Sequence, residues 1–189
     1  MSDLDLNFQK NVTLKNGRQL LLRYPLPKDI DSLLQFTNDI VKEQPYICLC
    51  QQQTYESELE YLFDMIKKIR QNKEIHLAAY DKNIYVGKAD ITQTFQPRQE
   101  HVGRLGISLA PQVRGQGLGK LLIEEVISQA QNILKLKLII LDCFAPNTSA
   151  LMLYKKIGFQ DYGLLPASLS YQGKFIDKIL MYKQLIWSI

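Results

Sequence analysis

The chain has 189 residues, 46% of them hydrophobic, and a formal net charge of +4. That is the length of one domain, 1–189, with enough apolar sequence for a packed core. The mild basicity falls short of a nucleic-acid protein, and no uninterrupted apolar span is long enough for a membrane crossing. Met1 to Asp5 lack the basic-then-apolar order of a signal peptide. Cys48, Cys50 and Cys143 are odd in number and match neither C-x-x-C nor zinc-ribbon spacing. They read as free thiols in a reducing cytoplasm, with no metal expected.

In chain order, Val12-Thr13-Leu14 and Leu20-Leu21-Leu22 flank Asn16-Gly17, which predicts a hairpin over 12–24 with a type I′ turn. Ile30, Leu33, Leu34 and Ile40 give helical spacing over 28–42, with Pro45 as the stop. Residues 46–53 form a loop rich in Gln and Cys. Thr54 is the expected N-cap of a helix over 55–71, whose apolar face is Leu59, Leu62, Phe63, Ile66 and Ile69. A second hairpin, Ile75–Tyr80 and Ile84–Thr94, turns at Asp81-Lys82-Asn83. A polar loop over 96–100 then leads to a strand over 102–109. A helix over about 117–134 carries Leu122, Ile123, Val126, Ile127 and Ala130 on one face. Leu138-Ile139-Ile140-Leu141 predicts a central strand covered on both faces. A helix opens at Asn147 and ends before Gly158. Strands over about 159–170 and 174–184 turn at Gln172-Gly173. The order ββααβββαβαββ implies a mixed sheet with helices packed on it.

Between the strand over 102–109 and the following helix lies Arg114-Gly115-Gln116-Gly117-Leu118-Gly119-Lys120. Glycines leave backbone amides unshielded at a helix N-terminus, where the dipole adds positive character, so the loop suits a phosphorylated ligand. Helices favour acids in the first turn, and here none appears until Glu124. The loop is not a Walker motif, which disfavours a nucleotide-phosphate binder. It is no good Rossmann fingerprint either, since it lies past mid-chain. Farther on, Asn147, Leu151 and Tyr154 lie at i, i+4 and i+7, on one helical face that starts at the C-terminal edge of the central strand. Open α/β sheets bind ligands at that edge.

The segment R-G-Q-G-L-G followed by N-x-x-A-x-x-L-Y-x-K-x-G-F resembles the GCN5-related N-acetyltransferases (GNAT), most firmly over 101–159. Arg114, Gly117 and Gly119 match their [QR]-x-x-G-x-[GA] acyl-CoA motif. The resemblance implies an α+β GNAT fold with a mixed sheet of about seven strands, helices on both faces, and a bulged fourth strand, here 102–109 with Gly106 as the irregularity. It implies acetyl-CoA as cofactor. Backbone groups of Ile107 and Leu109 would bond the pantetheine arm. Amides of Arg114, Gly115, Gln116, Gly117, Leu118, Gly119 and Lys120 would hold the pyrophosphate, with Asn147 on the cofactor side. Tyr154 would protonate the leaving thiolate. Phenol and thiol pKa values lie within about two units, so the transfer is feasible.

For the base, the resemblance points 12 positions before Tyr154, where the chain has Asp142. Glu100, His101 and an ordered water chain remain alternatives. The segment from Leu169 to Met181 resembles bacterial members acting on amino acids, related small amines or ribosomal-protein N-termini. The expected activity is acetyl transfer by direct attack of a primary amine, an amino acid or other small amine. A protein N-terminal acetyltransferase and a non-catalytic acyl-CoA-binding module are the alternatives. Tyr154 favours an enzyme, since a sensor needs only the phosphate loop. No nucleic acid or membrane partner is expected, and the chain is expected to be a monomer or homodimer.

Overall fold

The computed structural model describes residues 7–43 and 46–185. Within them, eight strands and four α-helices follow in the predicted order: β1 (Gln9–Thr13), β2 (Gln19–Arg23), α1 (Ile30–Glu43), α2 (Tyr55–Arg70), β3 (Glu74–Asp81), β4 (Ile84–Gln93), β5 (Val102–Leu109), α3 (Leu118–Asn132), β6 (Leu138–Phe144), α4 (Thr148–Ile157), β7 (Gln160–Tyr171) and β8 (Lys174–Gln184). Pro45 and the segment Met1 to Asp5 lie outside the described residues.

The strands form one sheet in the order β1-β2-β3-β4-β5-β6-β8-β7. It has eight strands rather than about seven. Neighbours are antiparallel except β5 and β6, which run parallel and pair only at Val102↔Leu138, Gly103↔Ile139 and Arg104↔Ile140. Beyond Arg104 the two strands part. The bulge expected at Gly106 is not there: the β4–β5 register runs without a shift from Gly87↔Leu109 to Gln93↔Gly103, and the departure from regular pairing lies on the β6 side, beyond Arg104. Gly106 instead leaves room for a carboxylate, since a Cβ there would stand 3.0 Å from both oxygens of Asp90.

Helices α1 and α2 pack on one face, against β4 and β3 respectively, and α3 packs on β3, β4 and β5 with α4 beside it. Successive strand residues point to opposite faces. Lys88 and Ser108 accordingly border α1 and α2, while Ile107 and Leu109 meet Gly119 of α3. Strand β3 is buried along nearly its whole length. Strand β6 departs from the expectation of cover on both faces. Ile139, Leu141 and Cys143 are buried, but Leu138, Ile140 and Asp142 are half-exposed. The reason is that α1 and α2 sit over β3 and β4 and leave that side of β6 to a cleft.

Thr54 caps α2 as predicted: its Oγ1 accepts from the Ser57 amide at 3.2 Å, and Ser57 Oγ accepts from the Thr54 amide at 3.0 Å. Leu62, Met65 and Ile69 turn inward and are essentially fully buried, each contributing roughly 1.5–3 kcal/mol. Phe63, expected on that face, is exposed. It sits about 100° round the helix from Leu62. The first hairpin closes by three residues rather than a type I′ pair. Gly17 N donates to Leu14 O and Leu14 N donates to Arg18 O, and only Gly17 is left-handed. That geometry is a type I turn with a glycine bulge. Gln172-Gly173, both at positive φ, make the type I′ turn between β7 and β8.

A buried ion pair ties β2 to the start of α1. Arg23 donates to both oxygens of Asp29 at 2.6 and 2.8 Å, and Asp29 also accepts from the Leu26 amide and the Tyr80 hydroxyl. Burial opposes the charge on Asp29, but these donors outweigh it and hold the carboxyl below its ordinary pKa.

Candidate active site

The glycine loop sits where β5 leaves β6, at the C-terminal ends of the two parallel strands. Gly115 has φ +70 with no atom within 4 Å of where a Cβ would project. Gly117, the residue before α3, has φ +92 and meets only the aliphatic stem of Lys15 at 3.8 Å. The left-handed backbone turns the chain into the helix and leaves its amides unshielded. Gln116 O accepts from the Lys15 amide at 3.1 Å, so the β1–β2 turn braces the loop from behind. Gly119 is needed for close approach: a Cβ there would lie 3.0 Å from Leu153 Cδ2 on α4. Leu118 anchors the loop by full burial, and Lys120 is exposed beside Glu124.

Arg114 does not project its charge into this loop. Its guanidinium forms a two-pronged pair with Glu43 at the end of α1, and its Nε donates to Leu109 O at 2.9 Å. The arginine therefore clamps the end of β5 to α1, and the Leu109 carbonyl already holds one donor. The chain of hydrogen bonds from Glu43 to Leu109 was not legible in sequence, because Glu43 and Arg114 are 71 positions apart.

Asn147 caps α4, its Oδ1 accepting from the Ala150 amide at 3.2 Å and from Ser149 Oγ at 3.1 Å. Tyr154, two turns on, is 7% exposed and packs edge-on to Phe159. Burial pushes the Tyr154 phenol well above its ordinary pKa, and the neighbouring Cys143 and Asp142 push it further. It is thus held protonated at neutral pH, as a proton donor must be. Cys143 is buried, its thiol pushed up to about 11 by burial and by Asp142. It is not a nucleophile at neutral pH.

Asp142 lies on the opposite face of β6 from Cys143. One oxygen pairs with Arg104 of β5, and the other accepts from Lys178 Nζ of β8 at 3.0 Å. The carboxylate thus bridges three strands, with both oxygens engaged by cations. Glu100 and His101 are exposed at the start of β5. Eight strand residues at about 3.3 Å each separate them from the glycine loop, so the fold does not bring them to it.

Sequence reading missed a second feature on the α1–α2 side. A cavity of about 300 Å³ lies between the helices and the sheet. Its apolar wall is Leu33, Phe36, Ile40, Ile47 and Leu49, and its polar groups are Thr37, Gln53, Glu58, Tyr61, Lys88 and Ser108. The loop over it is pinned at both ends. Asn38 exchanges two hydrogen bonds with the Gln53 backbone, at 2.7 and 3.1 Å. Tyr46 stacks on Phe144 and Tyr171, with centroids 5.8 and 4.9 Å away. On the sheet, Lys88 Nζ donates to Asp90 at 2.9 Å and to the Tyr61 hydroxyl at 3.1 Å. The only sequence signal was the period of two in β4: Lys88 and Asp90 alternate with the buried residues Gly87, Ala89 and Ile91. Among the described residues, no group of three or more His, Cys, Asp or Glu could hold a metal ion. No described helix is long and apolar enough to cross a membrane.

A parallel pair that splays at mid-sheet, a glycine turn at its mouth and a tyrosine on the next helix define an acyl-CoA transferase architecture. The Acetyltransferase (GNAT) family model matches residues 35–159, and the chain belongs to that family: it is an acetyltransferase by fold and by family. It is 30% identical over 96 residues to the L-amino acid N-acetyltransferase AaaT of Escherichia coli, a span of 51% of this chain and 59% of that protein. A GNAT-family acetyltransferase structure from Streptococcus pneumoniae superposes with a TM-score of 0.79 at 31% identity, covering 88% of this chain and 99% of that one. The Salmonella typhimurium yncA structure, which contains its cofactor acetyl-CoA, has the same fold, with a TM-score of 0.79 at 16% identity over 90% of this chain and 96% of that one.

Proposed function

We propose that residues 1–189 act as one domain that moves an acetyl group from acetyl-CoA to the primary amine of a small molecule, an amino acid or related amine, by direct attack. The observation that carries this reading is the β5–β6 splay, with the glycine loop at its mouth and Tyr154 on the helix that follows β6. Its residues fit the cofactor: Gly115 and Gly117 leave the space a Cβ would fill, and the α3 N-terminus has no acid in its first turn. Acetyl-CoA supplies an activated thioester.

In this reading the amides of Arg114 to Lys120 hold the pyrophosphate, and the β5 backbone at Ile107 and Leu109 meets the pantetheine arm, the Leu109 carbonyl being shared with Arg114 Nε. Arg114 contributes its amide, while its side chain clamps β5. Asn147 sets the start of α4 and so the position of Tyr154. Tyr154 donates a proton to the departing sulfur. Burial widens the gap between phenol and thiol and makes this transfer uphill, so it is completed by the proton that the attacking amine releases, which returns to Tyr154 through water. Asp142 contributes a negative charge that Arg104 and Lys178 already share, and the amine's proton leaves through water.

The experiment is a thiol-release screen with acetyl-CoA against amino acids, simple amines, polyamines and N-terminal peptides, alongside thermal shift with acetyl-CoA. Acetyl-CoA should raise the melting temperature, and at least one small amine should release thiol. Release with peptides alone would move the reading to a protein acceptor. Absence of any stabilisation by acetyl-CoA would end it.

A further inference from the structure

Glu58 stands out among the groups that the proposed chemistry does not use. It is 3% exposed, on the inner face of α2. Its Oε1 accepts from Thr37 Oγ1 at 2.9 Å. Its other oxygen has no hydrogen-bond partner among the described residues. Yet no described side-chain oxygen is both sealed from solvent and unpartnered. That oxygen therefore opens onto the space Glu58 lines, the cavity between α1, α2 and the sheet.

The charges around the cavity are unequal in what they leave over. Lys88, from β4, has its ammonium held between the Asp90 carboxylate and the Tyr61 hydroxyl. Its charge is balanced by Asp90, so the pair adds no net charge to the cavity. Glu58 accepts a hydrogen bond only from a neutral hydroxyl, with Lys88 acting on it from farther away. The remaining polar groups, Gln53 and Ser108, are uncharged. The wall between them is apolar: Leu33, Phe36 and Ile40 from α1, Ile47 and Leu49 from the loop. A buried carboxylate with an open oxygen in apolar surroundings attracts a cation that carries its own apolar body. A second carboxylate entering with it would meet only neutral donors and a lysine already paired with Asp90, and would be repelled by Glu58.

We propose that this cavity is the acceptor pocket, that Glu58 holds the acceptor's ammonium group, and that the preferred acceptors are apolar primary amines without a carboxylate. This rests on the acetyltransferase reading above and narrows it. Ser108 belongs to β5, the strand along which that reading lays the pantetheine, so an amine in the cavity is on the same strand as the donor. The volume, about 300 Å³, is at the small end of ligand pockets and suits an amine of a few carbons to one ring. Burial raises the Glu58 pKa, with Thr37 and Lys88 acting against it. A cation beside the open oxygen would relieve that cost of burying the charge.

The test pairs acceptors that differ only in the carboxylate: 2-phenylethylamine against phenylalanine, and pentylamine against norleucine. With the full chain and acetyl-CoA, kcat/KM for the amine should exceed that for its amino acid by about 100-fold or more. Calorimetry with CoA present should detect amine binding and little amino-acid binding. Glu58→Gln should raise the amine KM about tenfold or more while changing kcat less, and weaken the calorimetric signal to match. Should Glu58→Gln fail to fold, Ile47→Arg on the loop wall tests the same charge balance by lowering amine use and raising phenylalanine use. Equal or better use of the amino acids, or an amine KM and affinity unmoved in Glu58→Gln, overturns the proposal. If no acceptor is acetylated, calorimetry with the amines still decides the pocket. Thermal shift with acetyl-CoA decides the acetyltransferase reading separately.

Discussion

On the α3 side of the splayed strands the proposed binding groups are backbone amides, drawn from seven consecutive residues. On the α1–α2 side they are side chains, gathered from two helices, a loop and two strands. The two regions share β5, whose alternation sends Ile107 and Leu109 one way and Ser108 the other. A backbone site tolerates most side-chain changes but fails when its chain direction is altered. A side-chain site keeps its shape under many changes but loses specificity with one charge. The two halves should therefore break in different ways.

The largest effect is expected at Gly117. Its φ of +92 strains any other residue by about 1–3 kcal/mol, and Gly117→Glu also sets a negative charge against the phosphates. CoA binding, read by calorimetry, should fall below detection, while circular dichroism keeps its native form. An unchanged CoA affinity would remove the amide cradle from the assignment. Tyr154→Phe comes next. It deletes one hydroxyl from a buried ring, so turnover should drop about 10²–10⁴-fold with acetyl-CoA affinity nearly constant. Wild-type turnover in that variant would mean the sulfur leaves without help from Tyr154.

Where these two positions fall in the fold was readable in the sequence for a physical reason, whereas the role of Tyr154 came only from the family resemblance. Glycines at a strand-to-helix turn, and residues at i, i+4 and i+7 on one helix, are local patterns. Element order, the Thr54 cap and the Asn147 cap were legible for the same cause. What escaped was non-local. The Arg114 guanidinium is taken by Glu43 at the end of α1. The Asp142 carboxylate is shared by Arg104 and Lys178 from the two flanking strands. Leu138 to Leu141 read as a strand buried on both faces, because hydrophobicity along a strand does not reveal how far the helices above it extend. Glu58 gave no signal at all: an acid in the first turn of a helix is where acids normally belong. Only packing shows that it points inward.

The cavity side should answer to pH where the amide loop does not. Glu58 has its folded pKa raised, first by burial. The folded state then disfavours its charge, so this stability is fully present below the unfolded value of about 4.3 and is lost as pH rises from there through the raised folded value. Asp29 has the opposite sign. Its folded pKa is lowered, so its contribution is present above about 3.9 and lost as pH falls below that. Glu58→Gln, which keeps the Thr37 hydrogen bond, should therefore raise the melting temperature at pH 7. The gain over the wild type should shrink toward zero near pH 4. A variant equally destabilised at both pH values would show that Glu58 is held by contacts rather than tolerated as a costly charge.

The smallest effect is expected at Asp142. A free carboxylate at the cleft would attract a cationic amine, and its loss would raise the acceptor KM sharply. Here Lys178 and Arg104 share the charge, and the Arg104 side chain is 57% exposed, which limits such a pair to about 0–1 kcal/mol. Asp142→Asn keeps the shape and leaves two cations without their anion beside the acceptor's path. The acceptor KM should rise about two- to fivefold, the corresponding binding loss being within that range. The fall in kcat should be smaller, and the acetyl-CoA KM should stay constant. That pattern marks lost ground-state attraction of the amine rather than a lost base. A fall in kcat beyond about 100-fold would instead make Asp142 the proton acceptor, with Lys178 moving aside when the amine arrives. Wild-type values for both acceptor parameters would leave Asp142 as a tie between β5, β6 and β8, and Glu58 as the one acidic group acting on the acceptor.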